Sequence, residues 1–370
     1  MNSANTRTEA RTNANDVVFV SPATVFWGAE RSMLSIAGEL RKTGIECDLV
    51  CASAVVAENW DRVISRKAQV YRPLPKRAGR WMRALSFLPA IAKIPANRTI
   101  VLFDIDLLLP GLFLRPLLRR RGSTVVLDLH TVSSSESGRK RLKVLAKYID
   151  GCIAVSRFAA EQMPMSIATR VVHRPMEVDF VSSDAPKSDI VTFGVIGRVD
   201  AQKNIEFAIA AAARAQVGAR VVVRGAPTEG GAEYLVDIVN LGREELGENF
   251  RYEGTVANQK VFTGIDFLLF VNASEPSGRV IAEAQLRGVG VICPTEGGSS
   301  EFVEDGVTGF KFRAGDLDSC AEVIREVVAD PNRVAHVVKR AAEKANLDYV
   351  KERQVKRYRE ALTSFVSDRQ

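Results

Sequence analysis

Twice along the chain a series of short apolar runs alternates with longer stretches of helical periodicity, and the second series restarts near Ile190. The first opens with "VVFVSP", passes through "ATVFWGAE" and enters "RSMLSIAGELRKTG", where Leu34, Ala37, Leu40 and Arg41 recur at helical spacing and Gly44 closes the helix. "CDLVCA", "TIVLF", "STVVLDLH" and "GCIAVS" follow as buried-strand candidates. After "HRPMEVDFVSSDAPKSD" come "IVTFGVIG", "ARVVVRG", "NFRYEG", "DFLLFV" and "GVGVICP", separated by stretches such as "NIEFAIAAAARAQ". Alternation of this kind means parallel strands joined by crossover helices, because a strand buried on both faces reads as a continuous apolar run. The expected fold class is α/β, with two Rossmann-like domains facing across a cleft. The first is expected over 17–180 and the second over 188–345, with the final helix, 350–370, completing the first. In open sheets of this class ligands bind beyond the carboxyl ends of the strands, so the loops there are the functional ones.

A chain of 370 residues with 46% apolar and 26% charged residues has the composition of a two-domain globular protein. Residues 1–16, "MNSANTRTEARTNAND", hold no apolar run and read as a disordered polar tail rather than a secretory signal. The longest apolar stretch, Thr99 to Leu114, is broken by Asp104, Asp106 and Pro110, which argues against a spanning helix. Cys47, Cys51, Cys152, Cys293 and Cys320 show no paired spacing and point to a reduced, cytoplasmic chain whose thiols pack as small apolar groups. The formal charge of +7 is unevenly spread: residues 1–190 carry 28 Lys and Arg against 18 Asp and Glu, and the rest carry 23 against 26. Between Asp61 and Asp104 lie ten basic residues and no acidic one, namely Arg62, Arg66, Lys67, Arg72, Lys76, Arg77, Arg80, Arg83, Lys93 and Arg98. Within that run Trp81, Leu85 and Leu88 fall on one helical face, with Lys76, Arg80 and Arg83 on another, until Pro89 interrupts the helix. Such an element suits either a solvated helix that packs its apolar stripe on the first domain or an anionic membrane surface, and the second reading puts a cytoplasmic protein peripherally at the inner face of the membrane. Nucleic acid is not an expected partner, since no aromatic-interleaved basic ladder, zinc spacing or helix-turn-helix pattern is present.

The stretch that carries chemistry is "ASEPSGRVIAEAQLRGVGVICPTEGGSSEF", residues 273 to 302. "DFLLFVNA" is its strand, "SEPSG" its turn and "RVIAEAQLRG" the departing helix, whose free amides suit an anion. Glu275 sits in the turn, and Glu283 lies one to two turns into the helix, roughly 7 Å from its start. Two carboxylates at two depths around one set of N–H donors match a ligand with hydroxyls at both ends and phosphates between them. A carboxylate is also the group that grips a ribose hydroxyl in dinucleotide folds.

Together, "EPSGRVIAEAQLRG" and "GGSSEFVEDGVTG" resemble the donor-site signature of the family-4 retaining glycosyltransferases of the GT-B fold. "GAE" after the first strand, "LHT" at the end of a later one, "AVSRF" before the linker and "GRVDAQKN" at the start of the second domain appear in the family's order. The resemblance covers most of the chain from about residue 17. It implies a retaining, metal-independent hexosyltransferase that takes a UDP- or GDP-linked sugar and needs no further cofactor. Glu283 would hold the ribose, Glu275 the donor sugar, and Arg198 and Lys203 the diphosphate. Ser277, Gly278, Arg279 and Val280 would line the donor turn, His130 would bond the sugar from the first domain, and Gly28 would let backbone approach a ligand closely. Trp27 and Ser277 depart from the family, which often has a second glycine and an aromatic residue at those places. The implied acceptor is a hydroxyl on a lipid-linked or cell-surface glycan precursor.

Other readings of the residues stay open. A sugar-nucleotide epimerase on the same double plan keeps the donor pocket but lacks an acceptor, and a non-catalytic membrane-binding module needs only the basic half. A dehydrogenase is disfavoured because no G-x-G-x-x-G follows the first strand. Asp104 and Asp106 form a D-x-D of the sort that holds metal in other transferases, but their distance from the donor stretch favours a structural role. His173 and His336 have no ligand spacing, and no metal is expected.

Overall fold

The computed structural model describes residues 16–26, 28–71, 79–133, 135–176, 190–228 and 230–368. The polar tail up to residue 15, Trp27, the basic residues Arg72, Lys76 and Arg77, and the linker 177–189 lie outside the described residues, as does the side chain of Arg80. The chain divides into two compact units, one running to Pro175 and resuming at Lys351, the other running from Met176 to Val350.

The first unit is built on seven strands: β1 (Val17–Ser21), β2 (Cys47–Cys51), β3 (Gln69–Val70), β4 (Thr99–Leu102), β5 (Thr124–Leu129), β6 (Gly151–Ala154) and β7 (Thr169–Val171). They pair in parallel in the order β3-β2-β1-β4-β5-β6-β7. Period-two alternation sorts each strand between two cores. Val18, Val20, Ile100, Leu102, Val125 and Leu127 enter one, and Val17, Phe19, Val101, Val126 and Ile153 enter the other. The first helix begins at Gly28 and ends at Lys42, earlier than the apolar periodicity suggests, and its buried residues include Met33, Ile36, Ala37 and Leu40. Leu34 and Arg41 are only half-buried. Gly44 adopts φ 86°, the left-handed turn that closes the helix.

The final helix, Lys351–Ser367, packs in the second of these cores through Val355, Tyr358, Leu362 and Phe365. Its apolar residues recur every three to four positions, so a sequence that looks polar in bulk is amphipathic. Contact with the sheet is close: a Cβ on Gly151 would lie 2.4 Å from the Phe365 ring, so β6 needs glycine there. Asp16, assigned to the tail by the sequence, is part of this unit. Its carbonyl accepts from Thr99 N at 2.9 Å and its carboxylate pairs with Arg98.

The second unit has six parallel strands: β8 (Thr192–Ile196), β9 (Arg220–Arg224), β10 (Phe250–Gly254), β11 (Phe267–Leu269), β12 (Gly290–Pro294) and β13 (Phe310–Phe312). Their order is β10-β9-β8-β11-β12-β13. Phe193, Val195, Val221, Phe267 and Ile292 fill one face, and Val222, Leu268, Val291 and Cys293 the other. From β8 the chain runs to one side through β9 and β10, then returns to β8's other neighbour, β11. This reversal leaves a crevice at the carboxyl ends of β8 and β11.

The basic run differs from the expected single helix. One helix spans Gly79–Leu85 and another Leu88–Ala92. Pro89 sits in the first turn of the second, where its missing N–H has no helical partner to lose, so it opens a helix rather than interrupting one. The buried face is Ala84, Phe87, Ala90, Ile91 and Ile94, while Trp81 is 44% exposed and Leu85 and Leu88 are half-buried. The charge of the run is also partly balanced in space: Arg66 pairs with Glu46 and Asp48 at 2.8 and 2.6 Å, and Arg98 pairs with Asp16. All five cysteines are free and buried, and burial pushes the thiols of Cys47, Cys293 and Cys320 up to about 12.

Candidate functional site

The loops at the carboxyl ends of β8 and β11 meet at the reversal in the second sheet. After β8 the backbone turns at Gly197, with φ 146°, and Arg198 follows. A Cβ on the neighbouring Gly225 would fall 1.6 Å from the carbonyl oxygen of Gly197, so the loops after β8 and β9 touch backbone to backbone. The short 3-10 turn Ala201–Lys203 then delivers Lys203 back toward β11. Gly197, Arg198 and Lys203 from one side and Phe270, Val271 and Asn272 from the other line one concavity.

Beyond β11, Asn272 shapes the turn through its side-chain oxygen, which accepts from Ser274 N at 2.9 Å. Its amide nitrogen donates to Glu275 Oε2 at 3.3 Å. Glu275 thus faces Lys203, whose Nζ donates to the same oxygen at 2.7 Å. The helix Arg279–Leu286 starts at Gly278, which is pressed against the loop after β12. A Cβ there would lie 2.9 Å from both Ser299 Cα and the Phe302 ring. Gly297, at φ 84°, approaches so near that a Cβ would come within 2.3 Å of Ala273 O, and Gly298 N donates to Glu275 O at 2.9 Å. The "EPSG" turn and the "GGSS" loop are therefore stitched together, and glycine is needed at each crossing.

The structure brings Lys203 and Glu275 into direct contact and sets Arg198 beside them, with its Nε 3.6 Å from Asp200 Oδ2. Glu283 lies along the helix from Gly278 and accepts from Arg279 Nε at 3.0 Å, one turn away. Val280 packs against the core beneath the turn. Each of these charged side chains retains exposure, from 19% at Lys203 to 44% at Arg198. Cation and carboxylate alternate around the turn, so an incoming diphosphate meets cations and an incoming hydroxyl meets carboxylates. Ser277 Oγ is buried and bonds no described group, and the same holds for Ser299 Oγ in the neighbouring loop. Asn272 and Ser299 are not singled out by the sequence, whereas Gly297 belongs to its Gly-Gly loop.

Gly28 and His130 belong to the first unit. Gly28 opens the first helix with no described atom within 4 Å of the place a Cβ would take. His130 follows β5 and is 17% exposed, its ring tilted 36° to Phe103 at 5.3 Å. Its Nδ1 stands 3.6 Å from Asp128 Oδ1. Asp128 is fully buried and accepts from Arg174 and from the Tyr358 hydroxyl, the latter at 2.8 Å. Burial pushes the Asp128 carboxyl up, but the Arg174 guanidinium and the His130 side chain override that and hold it at about 2. Sequence reasoning missed this cluster. The signal within reach was an aspartate in the apolar run "TVVLDLH", whereas Arg174 and Tyr358 lie far from it in sequence.

The Asp104-x-Asp106 pair has local work to do. Asp104 caps the 3-10 turn Ile105–Leu107 by accepting from Asp106 N at 2.7 Å, and Asp106 lies 3.6 Å from Arg141. Among the described residues no cluster of three or more His, Cys, Asp or Glu could hold a metal ion, and no helix is long and apolar enough to cross a membrane.

Two family models match the chain in tandem: Glycosyltransferase Family 4 over residues 27–179 and Glycosyl transferases group 1 over 179–344. Among curated proteins, the glycogen synthase of Pseudomonas paraeruginosa is 28% identical over 137 residues, which is 37% of this chain and 26% of that protein. The D-inositol 3-phosphate glycosyltransferase of Mycolicibacterium paratuberculosis is 28% identical over 190 residues, 49% of this chain and 42% of that protein. The matches thus span less than half the length of these relatives. Among solved structures, Anabaena HepE in complex with UDP superposes with a TM-score of 0.79 at 19% identity, covering 94% of this chain and 100% of that one. Sucrose-phosphate synthase from Thermosynechococcus elongatus superposes at 0.75 with 17% identity, covering 96% and 100%. At such identities the likeness shows the fold.

Proposed function

Because the chain belongs to the glycosyltransferases described by these two models, with the GT-B fold, we propose that it is a retaining, metal-independent transferase moving a hexosyl group from a UDP- or GDP-linked donor to a hydroxyl acceptor. The observation that carries this reading is the Lys203–Glu275 contact at the strand reversal, with Arg198 beside it. Solved relatives in the fold carry UDP and UDP-glucose, which supports a nucleotide-sugar donor.

In this reading the diphosphate replaces Glu275 as the partner of Lys203 and takes Arg198 as a second cation, while Glu275 turns to a sugar hydroxyl. Glu283 accepts from the ribose, and the amides of Gly278, Arg279 and Val280 and the Ser277 hydroxyl face the phosphates. The bond from anomeric carbon to phosphate oxygen breaks and the acceptor oxygen bonds on the same face. The acceptor proton then passes to the departing phosphate, the base nearest that face. Charge grows on the diphosphate as the bond breaks, so fixed cations and amide dipoles stabilise the transition state more than the ground state. His130 bonds a donor-sugar hydroxyl, and Gly28 leaves backbone open to a ligand.

We place the acceptor on a lipid-linked or cell-surface glycan precursor, reached by a peripheral, cytoplasmic enzyme at an anionic membrane. Support comes from the first unit, where helices packed on one another expose Trp81 and Met82, Phe113, and Val144, with Arg119, Arg120, Lys140 and Lys143 also exposed. Basic residues at such a surface contribute about 1 kcal/mol each.

The test is a thermal-shift panel of nucleotide sugars, followed by NMR of the product formed with the best one. A ligand that binds only the folded state raises Tm, and the product should keep the donor's anomeric configuration. Inverted product rules out the retaining mechanism, and an epimerised donor with no acceptor product rules out transfer.

A further inference from the structure

Asp128 is an unusual residue to find near the carboxyl end of an interior strand of a parallel sheet. Arg174 gives it both terminal guanidinium nitrogens, Nη1 at 2.9 Å from Oδ2 and Nη2 to Oδ1, and Tyr358 donates its hydroxyl to Oδ2 at 2.8 Å. All three side chains are buried. Glu30, buried in the first helix, adds a further negative charge that acts on Arg174. Taking an ion pair out of water offsets most of its Coulombic attraction, so stability alone is a weak reason for such a cluster. The three side chains come from β5, the segment just before Pro175 and the final helix, and they meet at Asp128, next to His130.

His130 follows β5 directly, and its ring faces the Asp128 carboxylate. His130 Nδ1 is shielded from solvent, bonds no described group and stands 3.6 Å from Asp128 Oδ1. Phe103 touches both groups, its ring centroid 5.3 Å from the imidazole at a 36° tilt and 5.4 Å from the Arg174 guanidinium carbon. In a neutral imidazole the group facing one nitrogen decides which nitrogen carries the proton. An ionised carboxylate facing Nδ1 demands a donor there.

We propose that Asp128, locked by Arg174 and Tyr358, is the positioning residue for His130: it holds the proton on Nδ1 and leaves Nε2 as an acceptor for a hydroxyl of the donor sugar. The final helix thereby bears on His130 through one phenolic hydroxyl on Asp128. This rests on the transferase reading for the identity of the hydroxyl, but the tautomer itself does not depend on it.

The experiment is 15N NMR of the protein labelled at its histidine side chains, of which there are three, with His130 assigned by His130→Gln. For the neutral imidazole, the expected wild-type spectrum shows Nδ1 protonated and Nε2 bare. Asp128→Asn presents an amide donor instead and is expected to move the proton to Nε2. It should lower kcat by about tenfold, the worth of one well-placed hydrogen bond, with KM for the nucleotide sugar within about twofold. Should Asp128→Asn fail to fold, the wild-type spectrum alone carries the test, because the proposal requires the proton on Nδ1 there. A wild-type His130 carrying its proton on Nε2, or a tautomer unchanged in folded Asp128→Asn, overturns the proposal. These spectra need no substrate, so a protein with the expected tautomer but no transfer would sink the functional reading and leave the positioning one standing.

Discussion

Both units gather opposite charges at the carboxyl ends of their strands, but they treat them in opposite ways. In the first unit Asp128, Arg174 and Tyr358 are sealed from water and bonded to one another. In the second, Lys203–Glu275 and Arg279–Glu283 sit at the rim, each side chain about a fifth to a quarter exposed. A sealed pair cannot be exchanged, because removing one partner strands the other in a medium that solvates it poorly. A rim pair exchanges readily, since water and salt already compete for it. The contrast separates charges that hold a geometry from charges that await a ligand.

The sharpest way to break this comparison is to truncate both kinds of pair and compare stabilities. Asp128→Asn is expected to cost about 3–5 kcal/mol in denaturant unfolding, the usual cost of leaving a buried charge unpaired. A shift in midpoint no larger than that of a surface variant would place Asp128 among the exchangeable charges.

Acid should sharpen the same point. The Asp128 carboxyl is held at about 2 against an ordinary 3.8. A group lowered on folding contributes stability above its unfolded value and loses it as pH falls. The first unit should therefore lose about 2 kcal/mol as pH drops from 3.8 toward 2, at 1.36 kcal/mol per unit. A pH titration of urea midpoints reads this directly, and the acid slope should shrink in Asp128→Asn.

At the other end of the scale, Glu283→Ala removes an i, i+4 rim pair and should change stability by less than about 1 kcal/mol. Its affinity for a nucleoside diphosphate should nonetheless fall roughly tenfold or more, the worth of a hydrogen bond to a charged group. Unchanged affinity would remove the ribose role from Glu283.

How far the sequence discloses this contrast depends on how local each feature is. The long buried strands are plain because a parallel strand covered on both faces must be apolar throughout. β3 and β7 escape because they are two and three residues long at a sheet edge, largely exposed, and β13 because Lys311 interrupts its two phenylalanines. The donor turn is legible for the same reason as the strands: Glu275, Gly278, Glu283 and the Gly297-Gly298 pair fall within one short stretch. The buried cluster is not. Arg174 and Tyr358 lie 46 and 230 residues from Asp128, and only the folded sheet and the returning final helix bring them to it. The net charge of the basic run over 62–98 is only partly legible for the matching reason, since the acids that answer Arg66 and Arg98 come from outside it.

The central claim is that Arg198 and Lys203, the cations of the loop after β8, are an exchangeable clamp for a diphosphate. Calorimetric titration of UDP and GDP into the wild-type protein and into the Arg198→Ala, Lys203→Ala double variant tests it most directly. Binding of at least one nucleotide to the wild type, lost or weakened by roughly a hundredfold in a double variant that melts at the same temperature, is the predicted result, given about 1.5–3 kcal/mol for each charge-assisted bond. Equal affinity in the two proteins, or no binding to either, would contradict it.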